Sequence, residues 1–320
     1  MASMRAALYD RYGPPEVLYE GSLPQPEPGP ARVLVRVRAS SVNGGELYGR
    51  AGRVRLVTDV VGGRGFPKRV GMDFAGEVAA LGPNVSGLEI GQPVWGVHRG
   101  FGTMAEYVAV PADRVASIPD GLTYPQAAAL AVGTIAVTAL RDKARLGQGE
   151  RLLVRGGAGG VGNVAVQLGR ASGAHVTALT GGDTLDLVRN LGADQSVDYR
   201  TVTPRELGRF DVVLDTVGTE LRAYRGLLAP GGRMVSIAFD IDRPVPSLAY
   251  LVASVLYGSR RVRFFSGNPR RRDFDRLAAL VALGSVRPLV DRIFPLSDIA
   301  AAHRALERGG VRGKIVVEVG

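Results

Sequence analysis

Apolar and β-branched residues recur in short runs through the first third of the chain, at Arg32 to Ala39, Gly76 to Ala80, Pro93 to Val97 and Ala105 to Val110. Runs of this length, bounded by turn residues, predict β-strands. The punctuation between them is heavy: prolines cluster from Pro24 to Pro30, glycines stand at Gly62, Gly63 and Gly65, and a Gly-Pro-Asn turn occupies Gly82 to Asn84. A β-rich region with barrel-like or sandwich-like packing is expected there. From about Tyr124 the texture becomes strand and helix in alternation, the pattern of βαβ units and a parallel sheet. Five strands are predicted, at Arg151 to Val154, His175 to Leu179, Gln195 to Asp198, Asp211 to Asp215 and Arg233 to Ala238. An amphipathic stretch, Leu248 to Tyr257, and a sixth strand, Arg261 to Phe265, follow. The tail predicts helices at Phe274 to Ala282 and Ser297 to Arg308, then a strand at Lys314 to Val319. The weakly polar stretch Ala127 to Leu140 reads as a buried helix, being shorter than the roughly 20 residues that span a bilayer.

Length and composition narrow the class. At 320 residues two domains are expected, and 46% hydrophobic with 22% charged residues excludes disordered and fibrous architectures. Cysteine is absent, which removes disulfide scaffolds, cysteine nucleophiles, thiolate zinc sites and iron–sulfur ligation together. The net charge of +10 raises the question of nucleic acid, but the arginines are spread along the chain among acids, and only Lys68, Lys143 and Lys314 are lysines. The one dense cluster, Arg260, Arg261, Arg263 and Arg270 to Arg272 beside Phe264 and Phe265, is read as solvated surface or a cofactor-phosphate contact. No nucleic-acid partner is expected. The start MASMRAALYDRYG lacks an apolar targeting segment, so a cytoplasmic protein without membrane association is expected.

The segment Arg151 to Gly162 carries the strongest chemistry. A strand runs directly into Gly157, Gly159 and Gly162, spaced G-x-G-x-x-G, and a helix from Val161 to Ala171 follows. The first glycine permits the tight turn, the second lets backbone amides approach a pyrophosphate, and the third lets helix and strand pack closely. With Gly160 and Val161 these residues form an anion site on a helix N-terminus. The second strand ends Leu179-Thr180-Gly181-Gly182-Asp183. A strand-tip acid would read a ribose 2′-hydroxyl and is lacking, which leans towards NADP, yet Asp183 stands three residues on, so NADPH or NADH stays open.

These residues resemble the medium-chain dehydrogenase/reductase superfamily, in its zinc-free quinone oxidoreductase (zeta-crystallin-like) branch. The resemblance is carried by Arg38 to Glu46, Gly71 to Val78, Gly156 to Gly162 with Ala165 to Leu168, Leu191 to Asp194, Asp215 to Gly218, Pro230 to Arg233 and Gly313 to Val316. It implies an α/β fold: a GroES-like catalytic domain of residues 1–124 with 267–320, and a doubly wound NAD(P)-binding Rossmann domain of residues 125–266, with the active site in the cleft between them. Zinc members carry a cysteine where this chain has Val42-Asn43, and Gly-His-Glu where it has Gly71-Met72-Asp73, so no metal is expected. The resemblance puts Asn43 and Tyr48 at the reacting carbonyl with Arg50 nearby. With the second-strand tip, Thr180, Gly181 and Gly182, read as cofactor-binding, it puts Tyr199 beside the adenosine ribose or its phosphate, Val217 and Gly218 under the cofactor, Ile237 and Ala238 on the nicotinamide side, and Phe264, Phe265 and Lys314 on the far side. His98 is placed in a loop leading to the substrate, whereas His175 and His303 read as structural and Trp95 as core. Departures are Glu46 for the usual aspartate, Gln92 for another, Ile135 for a frequent threonine, and the missing basic residue after the second strand. A homodimer paired through Arg261 to Phe265 is also implied.

Without a Lewis acid, hydride transfer needs positioning and weak donors to the oxygen, which suits a conjugated carbonyl. The expected activity is therefore NAD(P)H-dependent reduction of a quinone or an α,β-unsaturated carbonyl, with enoyl reduction in a biosynthetic, polyketide-type pathway as the near alternative. A protein that binds NADPH with little turnover is the alternative from another class.

Overall fold

The computed structural model describes residues 2–256 and 261–320, so the expectations resting on Tyr257 and Arg260 lie outside the described residues. Secondary structure gathers into two units, Met1–Val132 with Asn268–Ala282 and Pro288–Gly320, and Gly133–Gly267 with Leu283–Arg287.

The first unit is built on Arg32–Ser41, whose valines Val33, Val35 and Val37 are all buried. This strand pairs antiparallel with Asp73–Leu81, Tyr107–Pro111 and Lys314–Glu318 within a seven-stranded sheet. Phe74, Val78, Val94, Val110, Val115, Ile315 and Val317 complete its core, and Trp95 packs its ring edge on Phe274 at 5.3 Å. Ser3–Tyr9 and Val290–Pro295 are among the strands that were not legible. Ser3–Tyr9 pairs with Leu18–Pro24, but it is buried on both faces through small residues such as Ala6 and Ala7, so the alternation that marks a strand is blurred. Val290–Pro295 pairs parallel to Lys314–Glu318 and is hidden by Asp291 and Arg292.

The expected single helix over Ala127 to Leu140 is three pieces: Tyr124–Leu130, Gly133–Val137 and a π-helical turn Thr138–Ala144. A capping box between Thr123 and Gln126 starts the first piece. Gly133 disfavours continuation, and Thr138 turns its hydroxyl back onto the Thr134 carbonyl at 2.9 Å, a bond that loosens a helix. The break falls where the units divide, not at Tyr124. Tyr124–Leu130 packs on the sheet of the first unit, where the Tyr124 hydroxyl donates to Glu77 at 2.8 Å.

The second unit is a six-stranded sheet, all parallel, in the order Gln195–Asp198, His175–Thr180, Arg151–Arg155, Phe210–Asp215, Leu228–Ser236 and Val262–Phe264. Numbered along the chain this is 3-2-1-4-5-6, the doubly wound dinucleotide-binding order. The order reverses between Arg151–Arg155 and Phe210–Asp215, so their C-terminal ends flank the switch point where ligands bind in such sheets. The fifth strand starts earlier than expected and releases Ile237 and Ala238 from the ladder. No described helix is long and apolar enough to cross a membrane.

Candidate active site

In the second unit the strand Arg151–Arg155, fully buried over Leu152 to Val154, delivers the chain to Gly156 with φ +74°. The amides of Gly156 and Gly157 donate to Leu179 at 2.9 and 3.0 Å, which ties the turn to the neighbouring strand. The helix Gly160–Ala171 begins at Gly159, which offers no side-chain cap. The amides of Gly160, Val161 and Gly162 are therefore first-turn donors without helical partners, the arrangement that receives an anion. A Cβ on Gly162 would stand 2.0 Å from the Gly156 carbonyl oxygen, whereas one on Gly159 would come no nearer than 3.3 Å to the same oxygen, a tight contact that a small shift relieves. The third glycine thus seals helix to turn, and the second keeps the outer face open. A cofactor pyrophosphate fits this cradle.

At the tip of the second strand Thr180 is buried and its hydroxyl lies 2.6 Å from that of Thr184, so it serves the turn and does not face a ribose. Gly181 and Gly182 leave space that two side chains of the third strand enter. A Cβ on Gly181 would lie 3.5 Å from Arg200 Nη1, and one on Gly182 would lie 2.7 Å from Asp198 Oδ2. Tyr199 is 53% exposed, with the Arg200 guanidinium 5.2 Å from its ring centre. The cation missing from the second strand is thus supplied by the third. Tyr199 was expected at the adenosine ribose, and the sequence signal for the cation is Arg200 directly after it, outside the second strand where a basic residue is usually sought.

Val217 is 46% exposed, and Gly218 takes φ +88°. Ile237 and Ala238 are half-buried just beyond the fifth strand. Phe264 meets Phe239 edge-on at 6.1 Å, and Lys143 lies over the Phe265 ring.

In the first unit a buried polar cluster forms around Asn43, which precedes the helix Gly44–Arg50. Its amide nitrogen lies 3.2 Å from the Ser41 carbonyl, 3.0 Å from Glu46 and 2.8 Å from Asp73, and its oxygen accepts from Lys314 at 2.6 Å. Every polar atom of the Asn43 amide is thus engaged within the cluster, which it organises. Lys314 is held in the same cluster. Its ammonium is buried, donates to Val42 at 2.8 Å and to Asn43, and stands 3.5 Å from Asp73, so its three protons are committed inside this unit. Ser41 donates to Asp73 at 2.5 Å, and the Gly71 amide to Glu46 at 3.1 Å. Tyr48 remains 36% exposed, with Arg53 over its ring, while Arg50 is buried against Glu307. Burial holds His98 at a lowered pKa of about 4 and His303 at about 3, so both are neutral near pH 7.

Burial pushes the Glu46 carboxyl up to about 7; Asp73 adds to this, while Asn43, Lys314 and the Gly71 amide oppose it. Because the folded value lies above the ordinary one, the stability this gives is full below the unfolded pKa of 4.5 and is lost as pH rises through about 7. The expected outcome is that the first unfolding transition weakens by ~2–3 kcal/mol between about pH 5 and pH 8 through this group. Thermal scans of Glu46→Gln should show a flatter pH dependence over that range than the parent.

A dinucleotide-ordered sheet with a glycine cradle at its switch point, carried in one chain with a β-rich unit, defines the class of nicotinamide-dependent oxidoreductases. Residues 29–120 match the alcohol dehydrogenase GroES-like domain, and residues 191–317 match the family described as zinc-binding dehydrogenase. The human NAD(P)H oxidoreductase RTN4IP1, mitochondrial, is 33% identical over 99% of this chain and 89% of its own length. The 2-methylene-furan-3-one reductase of Solanum lycopersicum is 31% identical over 99% of this chain and 79% of its own. The solved quinone oxidoreductase of Coxiella burnetii superposes with a TM-score of 0.88 at 30% identity, covering all of both chains. The chain belongs to the medium-chain dehydrogenase/reductase superfamily and is an NAD(P)H oxidoreductase of it.

Proposed function

We propose that the protein is an NADPH-preferring reductase of quinones or α,β-unsaturated carbonyls that works without a metal. The observation that carries the reading is the chemistry of the donor set at Asn43, Glu46 and Asp73. These residues satisfy one another, and the buried Lys314 ammonium lies among them, where it would repel a dication. The chain has no cysteine to add. A conjugated carbonyl is the class that such a site can reduce, since delocalisation asks less of the donor to its oxygen. The bound nicotinamide would supply the hydride. Gly160, Val161 and Gly162 would bind its pyrophosphate through their amides, and Arg200 with Tyr199 would bracket a 2′-phosphate over Gly181. Tyr48 would donate the hydrogen bond, or the proton, to the substrate oxygen, held on the helix that Asn43 and Glu46 anchor. The outer edge of Val262–Phe264, which ends the sheet among the described residues, suits pairing of two copies.

The test is consumption of NADPH and of NADH, followed by the near-ultraviolet band of the reduced nicotinamide, against 1,4-benzoquinone and a simple enone with a chelator present. Turnover that survives the chelator and favours NADPH is expected. Arg200→Glu should raise KM for NADPH by roughly ten- to a hundred-fold, the worth of a charged hydrogen bond, and leave KM for NADH nearly unchanged. Turnover abolished by the chelator and restored by zinc would sink the metal-independent reading.

A further inference from the structure

The two strands that flank the switch point both end on a charge. Arg155 and Asp215 are register partners on adjacent parallel strands, 4% and 0% exposed, joined Nη1 to Oδ1 at 2.6 Å. Their neighbours in these strands, Leu152 to Val154 and Val212 to Leu214, are fully buried aliphatics. A buried ion pair is seldom better for stability than apolar side chains of the same size, so packing does not account for this one. Arg155 also keeps its buried Nε without a partner, which is a cost to the fold.

What Asp215 does beyond the pair is more telling. Its Oδ1 accepts from the Val217 amide at 3.2 Å, and its Oδ2 accepts from the Gly218 amide at 3.1 Å. Ser236 Oγ lies 2.9 Å from Oδ2 and 2.7 Å from the Ala238 carbonyl. The Ile237 amide donates to the Asp215 main-chain carbonyl at 3.0 Å. Arg155 adds a bond to the Thr219 carbonyl at 2.7 Å, and its guanidinium plane is held 3.6 Å from the Tyr224 ring centre. Thr216 donates back to the Arg155 carbonyl at 2.7 Å. The two loops also touch, since a Cβ on Gly218 would stand 2.6 Å from the Phe239 amide nitrogen. One carboxylate therefore sets the height of both loops, Thr216 to Thr219 and Ile237 to Phe239, against each other, and one arginine fixes the carboxylate.

We propose that Arg155 and Asp215 are a positioning pair for the nicotinamide half of the cofactor. They hold the two loops at the spacing that grips the ring, while the glycine cradle and Arg200 hold the other half independently. The inference rests on the cofactor reading above. Neither residue touches the reacting atoms; the pair acts through Val217, Gly218, Ile237 and Ala238.

The test compares two ligands of the full-length protein, NADPH and 2′,5′-ADP, which lacks the nicotinamide; NADH and ADP replace them if the parent prefers NADH. Dissociation constants are measured by calorimetry for the parent, for Asp215→Asn and for the double variant Arg155→Met with Asp215→Leu, alongside thermal unfolding. Asp215→Asn should weaken NADPH at least ten-fold and move 2′,5′-ADP by less than two-fold. The double variant, freed of the unpaired charge, should recover thermal stability while NADPH stays weak, and it carries the test if Asp215→Asn does not fold. Equal weakening of both ligands, or NADPH affinity that returns together with stability in the double variant, would show that the pair only stabilises the fold. A parent that binds neither ligand would remove the cofactor reading and this inference with it, whereas a parent that binds both isolates the inference.

Discussion

Gly162→Ala is expected to loosen the second unit and abolish cofactor binding together. The added methyl would stand 2.0 Å from the Gly156 carbonyl oxygen and 3.0 Å from the Gly157 Cα, which are backbone atoms that cannot swing aside. The helix Gly160–Ala171 must then lift off the turn, against a face that is buried from Gly162 to Gly169. Replacing a helical glycine by alanine ordinarily gains about 1 kcal/mol. Overpacking of a tight contact costs ~1–3 kcal/mol or more, so a net loss of ~1–2 kcal/mol and a fall in Tm of several degrees are expected. Lifting the helix also displaces the amides of Gly160 and Val161 from the anion, so the affinity for NADPH should fall at least a hundred-fold. Gly159→Ala supplies the contrast. Its methyl would meet only the Gly156 carbonyl oxygen, at 3.3 Å, so Tm should fall far less than in Gly162→Ala while affinity falls. Calorimetry for binding and scanning calorimetry for unfolding read both effects. A Gly162→Ala protein with parental Tm and affinity would show that the close approach is not needed.

Lys314→Met should destabilise the first unit by ~3–5 kcal/mol at about pH 8, the cost of leaving a buried charge without its partner. The methionine matches the lysine stem in length and polarity up to the ammonium. What is lost is the cation 3.5 Å from Asp73 and the donor to Asn43 and Val42. Burial already pulls the Lys314 ammonium below its ordinary range, with Asp73 and Glu46 pulling the other way. Removing it takes away a cation that opposes the upward push on the Glu46 carboxyl. A raised carboxyl pKa stabilises at low pH and stops doing so as pH rises through the folded value, so the loss should shrink towards about pH 5. Denaturant unfolding at the two pH values distinguishes this from simple loss of packing, which would be equal at both. The same substitution should leave affinity for 2′,5′-ADP unchanged, since the cluster lies within the first unit and the cradle within the second.

The parts of the second unit that rest on neighbouring residues were legible. The strand, the glycine turn and the helix that follows lie consecutively along the chain, so their spacing carries the geometry. The pairing of Arg155 with Asp215 was not legible, because nothing local says that two strand tips sixty residues apart will share a register. Arg200 was passed over for a similar reason. It reaches Gly181 only because the second and third strands pair with Thr180 opposite Asp198.

In the first unit the alternating valines of Arg32–Ser41 announced a strand, while Ser3–Tyr9 and Val290–Pro295 did not, having small or charged residues where alternation is usually read. The helix expected through Leu140 was broken by a change of packing partner at Gly133, which composition does not record.

The sequence by itself determined the parallel-sheet class, the anion-binding turn and the absence of thiolate metal ligands. Each depends on residue type and on spacing within one or two elements, where covalent geometry limits the choices. Only the tertiary structure decided the roles of Asn43 and Lys314. Each carries donors that a substrate or a phosphate would want; the return of the last strand beside Arg32–Ser41 brought the Lys314 ammonium to Val42 and Asn43, and the pairing of Arg32–Ser41 with Asp73–Leu81 brought Asp73 to the Asn43 amide. Buried polar groups mostly find partners wherever the chain places them, and here Asp73 for Asn43, and Val42 with Asn43 for Lys314, come from distant parts of the chain.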